Sequence, residues 1–204
     1  MSRPYAEAGR TGQKRRTREA LVAAARELVA AGTSPTVDDA ASAAGISRST
    51  AYRYFTGQRE LLAAAHPETG RTTLLPASPP ESVAERLDAV IAEFTRLIVE
   101  TESQQRTMLR LSLEPADAAP RDLPLRKGRA IAWITEALAP LQGTMPDQDI
   151  HRLVMAIRSA TGIESLVWLT DVAGLSREQA IASMRWTAAA LLSQAVAHGL
   201  PSPA

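Results

Sequence analysis

Cysteine is absent from the 204 residues. That excludes disulfide staples and thiolate metal sites, and it fits a reducing compartment. Aromatic residues make up only 4%, and strand-forming residues do not occur in runs, so no set of strands is expected. No basic-then-apolar leader follows Met1, and no uncharged apolar stretch approaches the roughly 18 residues of a membrane span. The expectation is an unexported, cytoplasmic protein with no membrane partner. Catalytic signatures are missing too: there is no nucleophile elbow, phosphate-cradling Gly loop or metal-spaced cluster. His66 and His198 fall at proposed helix ends, where a cationic cap is the ordinary role, and His151 falls in the first turns of another helix. No catalytic residue, metal or cofactor is therefore expected.

What remains is alanine, with 45% of the chain hydrophobic. That is enough to bury one large core or two modest ones, and small side chains favour closely packed helices. Net charge is only +1, yet it is unevenly spread. Residues 1–60 hold ten Lys/Arg against six Asp/Glu, and the remainder holds thirteen against sixteen. A head near +4 on a body near −3 is the asymmetry of a domain meant for a polyanion, joined to one that is not.

The sharpest signal lies between Thr36 and Leu62. Thr36 beside Pro35 reads as an N-cap, with Asp38 and Asp39 in the first turn against the positive helix end. Val37, Ala40, Ala41 and Ala44 then share one face. Gly45 stops that helix, Ile46 anchors the turn, and Ser47 caps a second helix running to Phe55. Ala51, Tyr54 and Phe55 can turn inward. Arg48, Ser49, Thr50, Tyr52 and Arg53 are left outward, all hydrogen-bond donors without one carboxylate. A helix, a Gly turn and a donor-faced helix of this length suit the DNA major groove. The hydroxyls and Tyr52 would reach phosphates, and Arg48 a guanine edge.

These residues, with Ala44-Gly45-Ile46-Ser47, Thr50-Ala51-Tyr52, Tyr54-Phe55 and Glu60-Leu61-Leu62, resemble the N-terminal domain of the tetracycline-repressor (TetR) family of transcriptional regulators. The resemblance covers about 50 residues. It implies an all-α protein of about nine helices, with a three-helix DNA-binding head and a helical body for ligand binding and dimerisation. The DNA-facing set it implies is Thr36, Ser47, Arg48, Ser49, Thr50, Tyr52, Arg53, Tyr54 and Gln58. Gln58 departs from the family pattern, which commonly has a phosphate-contacting Lys there; an amide still donates but carries no charge.

Along the chain, 1–66 is read as the head, with an arm over 1–12, a basic cluster from Gln13 to Arg18, and a bracing helix to about Ala31. Gly57 to Ala65 makes the fourth helix, which Pro67 limits or kinks. A Pro-rich connector spans 67–81, and the body 82–204. Ser82 with Glu85 forms a plausible capping box for a helix to Thr101. Helices at 104–113 and 125–141 flank a loop reaching Pro124; two long helices follow, Asp147 to about Val172 and Ser176 to His198.

Those last two helices carry broad apolar faces with small residues, suited to four-helix contact between two copies. The resemblance implies such a homodimer, and two heads would read two half-sites of operator DNA. It also implies an effector pocket for a small molecule in the body. Phe94, Met108, Leu111, Trp133, Met155, Glu164 and Trp168 are its candidate residues, being large and polarizable apart from the carboxylate. The function expected is a ligand-responsive repressor. The rival is a helical small-molecule binding protein or enzyme whose N-terminal helices are only structural.

Overall fold

The computed structural model describes residues 4–65, 71–113 and 128–201, with side chains from residue 11 onward. Among them the regular elements are all helices and no strand forms. Pro67, His66 and the loop from Pro115 to Pro124 lie outside the described residues.

The first helix, α1 (Pro4–Ala30), begins inside the segment expected to be an arm. A proline in the first turn loses no intrahelical bond, since that N–H is unpaired in any helix, and Ala6, Glu7 and Ala8 are good helix formers. Leu21, Val22, Ala25 and Val29 form its buried face. Two short helices follow, α2 (Val37–Ala43) and α3 (Arg48–Ala51), then α4 (Gln58–Ala65). Val37, Ala40 and Ala41 of α2 meet Leu21 and Ala25, and Phe55 and Leu61 close the cluster. The alanines let α2 lie close to α1, so the corner is dense despite its few large side chains.

One further helix completes this unit. α6 (Glu102–Leu113) buries Met108 and Leu111 against Val29 of α1 and Leu62 of α4. Its polar groups serve the helix ends there. Gln104 Nε2 donates to the Ala65 carbonyl at 2.8 Å, as does Arg26 Nε, and Arg59 Nη2 donates to the Leu111 carbonyl at 2.6 Å. Terminal carbonyls without helical partners are thus satisfied. The continuous body expected over 82–204 is therefore corrected: α6 belongs with the N-terminal helices. Its apolar face predicts burial, but periodicity does not say against what.

The second unit holds α5 (Val83–Glu100), α7 (Arg129–Ala137), α8 (Asp147–Ala160), α9 (Ile163–Val167) and α10 (Arg177–His198). Leu87, Val90, Ile91, Phe94 and Ile98 of α5 bury with Trp133 and Ile134 of α7 and Leu153, Val154 and Ile157 of α8. Ser176 forms a capping box with Gln179 at the start of α10, whereas Ser82 makes no side-chain bond at the start of α5. From 71 onward the Pro-rich connector is anchored. Leu74 is buried, Thr73 Oγ1 donates to Glu136 Oε2 at 2.7 Å, and Arg71 pairs with Glu93 at 2.5 Å.

By length and mean hydropathy, Asp147–Val172 would pass for a membrane span of 26 residues, although Arg158 and Glu164 leave it no long uncharged run. It is instead the core-facing side of this unit, and it is not one helix. The chain breaks at Thr161 and Gly162, and α9 ends in a π turn at Trp168–Val172. A Cβ on Gly162 would sit 2.0 Å from Arg158 Nη1, so a larger residue there would displace the guanidinium that crosses the break.

Glu93 sits between two guanidiniums. The Arg96 hydrogen bond is the largest influence, burial opposes it, and Arg71 adds to it; together they hold the carboxyl at about 2, below its ordinary 4.5. A depressed acid stabilises the fold above its unfolded value and loses that contribution as pH falls. Acid should therefore lower the melting temperature across the window from 4.5 to about 2. Glu93→Gln is expected to flatten that part of the profile, read by thermal melts at several pH values.

Candidate functional site

The exposed side of the head is built from caps. Asp39 N–H donates to Thr36 Oγ1 at 3.2 Å, while Thr36 N–H and its hydroxyl donate to Asp39 Oδ2 at 2.8 and 2.7 Å. These bonds, the backbone one foremost, hold the Asp39 carboxyl below its usual range. The Thr36 hydroxyl hydrogen is thereby committed within the protein; what Thr36 offers outward is the helix start it fixes. After α2 the chain turns at Gly45, with φ +64 and the Ile46 N–H on the Ala41 carbonyl at 2.9 Å. A side chain at that φ costs about 1–2 kcal/mol.

Ser47 caps α3, accepting from Thr50 N–H at 3.3 Å and donating its own hydroxyl to Thr50 Oγ1 at 2.8 Å. That leaves the Thr50 hydroxyl hydrogen to turn outward. The regular helix ends at Ala51, shorter than the expected Phe55, but Tyr54 and Phe55 N–H groups still reach the Ala51 carbonyl at 2.9 and 3.1 Å. One tight turn thus continues the rod. Ala51 and Phe55 are buried, and Tyr54 is half-buried against the head core. Arg48, Ser49, Tyr52 and Arg53 are exposed, and Thr50 is half-buried.

Two basic side chains lie over aromatic rings on this side. Arg18 of α1 stands 5.2 Å above Phe55, and Arg48 stands 5.6 Å from Tyr52. Arg48 Nε also lies 3.1 Å from Asp38 Oδ1 of α2. Read from sequence, Asp38 has only a first-turn role, because the pairing crosses from one helix to the next and no periodicity records it.

Gln58 departs from its expected place. Its Nε2 donates to the Ser34 carbonyl at 2.9 Å, the Pro35 carbonyl at 3.1 Å and Ser34 Oγ at 3.2 Å. Both amide hydrogens are spent holding the loop before α2, where Arg110 Nη2 also reaches Ser34 Oγ at 2.8 Å. A phosphate would find no donor on Gln58 in this arrangement.

The seven ligand candidates do not form one site. Met108 and Leu111 belong to the head unit's core with Val29 and Leu62. Phe94 and Trp133 are buried edge-to-face at 6.0 Å in the second unit, as tight packing. Met155 is half-buried on α8. Glu164 and Trp168 border a cavity of about 380 Å³, open to solvent, beside Ser159, Ser183 and Thr187. Glu164 also faces Arg158 at 3.5 Å. Large polarizable side chains fill a core as readily as they ring a void, which is why residue type alone scattered the set. The hydroxyl residues around the cavity were missed, since single Ser and Thr carry no pattern.

Residues 20–65 match the family model for bacterial regulatory proteins of the tetR family. Among curated proteins none gives a significant match to the chain.

Proposed function

This chain is a DNA-binding transcriptional regulator of the TetR family, and from that premise we propose a homodimeric repressor that a small molecule releases from its operator. The observation that carries the DNA-facing part is the capped turn from Ser47 to Tyr52. It keeps Ser49, Tyr52 and Arg53 exposed over a buried Ala51 and Phe55. Short hydroxyls, a phenol and guanidiniums on one convex rod match phosphates and base edges together.

Dimerisation is supported by α10. Its inner side buries Met184, Ala188 and Leu192, yet its outer side is also apolar, with Trp186 at 72% and Val196 at 57% exposure. Ala182, Ala189, Ala190 and Ala197 are exposed on the same helix. A helix that shows apolar residues on its outer face as well as its inner one favours a further covering element. A second copy would cover it and set two heads on adjacent stretches of groove. The cavity beside Trp168 and Glu164 is the proposed effector site, and an effector acts only by preferring one state of the dimer over the other.

Tyr52→Phe tests the phosphate role. Loss of a hydroxyl contact to the backbone should weaken binding to every duplex alike, by roughly three- to tenfold. Fluorescence anisotropy at low salt with operator and unrelated duplexes reads this directly. Folded wild type that binds neither duplex would favour the rival, in which these helices only pack.

A further inference from the structure

Arg48 is the guanidinium that the sequence reading aims at a guanine edge, and two neighbouring side chains lie against it in the free protein. Its Nε lies 3.1 Å from Asp38 Oδ1, and its Cζ stands over the Tyr52 ring, 5.6 Å from the ring centre. The two restraints come from different elements, the first turn of α2 and the turn that follows α3. Asp38 Oδ1 is closed to solvent and has no well-aligned hydrogen bond, so charge rather than bond direction holds the pair. An arginine this exposed would ordinarily sample many rotamers. Here a carboxylate and an aromatic ring both lie beside it.

The choice of nitrogen matters. With Nε on the carboxylate, the terminal amino groups Nη1 and Nη2 are not needed for that pair. Among the described residues neither has a hydrogen-bond partner. Two parallel N–H groups are the match for the O6 and N7 acceptors of guanine in the major groove. Adenine offers an amino group where guanine offers O6, so a guanidinium fixed in this pose rejects it. A loose arginine could instead swing to the nearest phosphate.

We propose that Asp38 is a specificity-determining positioning residue. It pins Arg48 through Nε so that Nη1 and Nη2 select guanine at one position of each half-site. Asp38 itself contacts no DNA in this scheme, and its negative charge near the phosphates opposes binding in general. The residue therefore trades non-specific affinity for discrimination. The inference rests on the DNA-binding reading given above.

The test uses the full-length protein and a duplex selected from a randomised library, with each half-site position then varied singly. Arg48→Ala should abolish the guanine preference at one position, a loss of about tenfold or more in relative affinity. Asp38→Ala should cut the preference at that same position by about fivefold or more. Its affinity for unrelated duplex should hold or rise. In the double variant, removing Asp38 should change nothing further at that position, because its effect passes through Arg48. Thermal melts check that each variant is folded.

A purely structural Asp38 would give another pattern: weaker binding to all sequences, unchanged preference, and the same loss in the Arg48→Ala background. That result, or preference retained in Asp38→Ala, overturns the proposal alone. Wild type that selects no duplex at all overturns the DNA-binding reading together with it.

Discussion

Trp186→Glu is expected to convert the proposed homodimer to monomer at micromolar concentration. The indole stands on α10 with 72% of its surface exposed, on a face otherwise made of alanine, serine and valine. The nearest charge in sequence, Arg185, is held by Asp88 through contacts of 2.7, 2.8 and 3.0 Å and is not free to pair with an incoming carboxylate. The substitution thus removes a large aromatic anchor and places an unpaired charge where a second copy should lie. Central aromatic anchors contribute ~2 kcal/mol or more, and an unpaired interfacial charge costs further. Dimer dissociation should rise by about 100-fold or more, since 1.4 kcal/mol is a factor of ten. Sedimentation velocity across a concentration series measures it, with melting curves showing an intact fold. Operator affinity should fall with the dimer, because a lone head engages one half-site. Unchanged sedimentation would remove α10 from the interface.

The second large effect lies in the head. Phe55→Ala should cost about 3–5 kcal/mol, the usual range for emptying a buried phenyl site. Phe55 has no exposed surface and packs where α1, α2 and α4 converge, with the Arg18 guanidinium 5.2 Å over its ring. Few large residues share that core, so little can move in to fill the space. A loss of that size is a large fraction of any small unit's stability. All three tryptophans, Trp133, Trp168 and Trp186, belong to the other unit. Helical signal by circular dichroism should therefore fall at low urea while indole fluorescence keeps its native value. DNA binding should be lost with the first transition. Coincident transitions by both probes would show that the two units melt as one.

The contrast between these residues explains what could be read in advance. Thr36, Gly45 and Ser47 announce helix ends through local chemistry, so the α2–α3 corner was legible residue by residue. The outward set Arg48, Ser49, Tyr52 and Arg53 followed from what a short rod must turn away from its core. Tertiary choices were not legible. The apolar stripe of α6 does not name the helices it lies on, and Phe94, Met108 and Trp133 look alike whether they pack or line a void. Gln58 failed for a different reason: a donor's type is visible in sequence, but the carbonyls of Ser34 and Pro35 that use it are not.

The placement of α6 bears on how this protein is cut into pieces. The matched segment ends at Ala65, short of α6. A fragment trimmed there would strip the cover from Leu62 and Val29 and leave the Ala65 carbonyl without Gln104. Each uncovered aliphatic side chain forfeits about 1.5–3 kcal/mol. Such a fragment would be sticky and half-melted for reasons unrelated to nucleic acid. An isolated head for spectroscopy would have to carry helix Glu102–Leu113 back in, by a linker or as an added peptide.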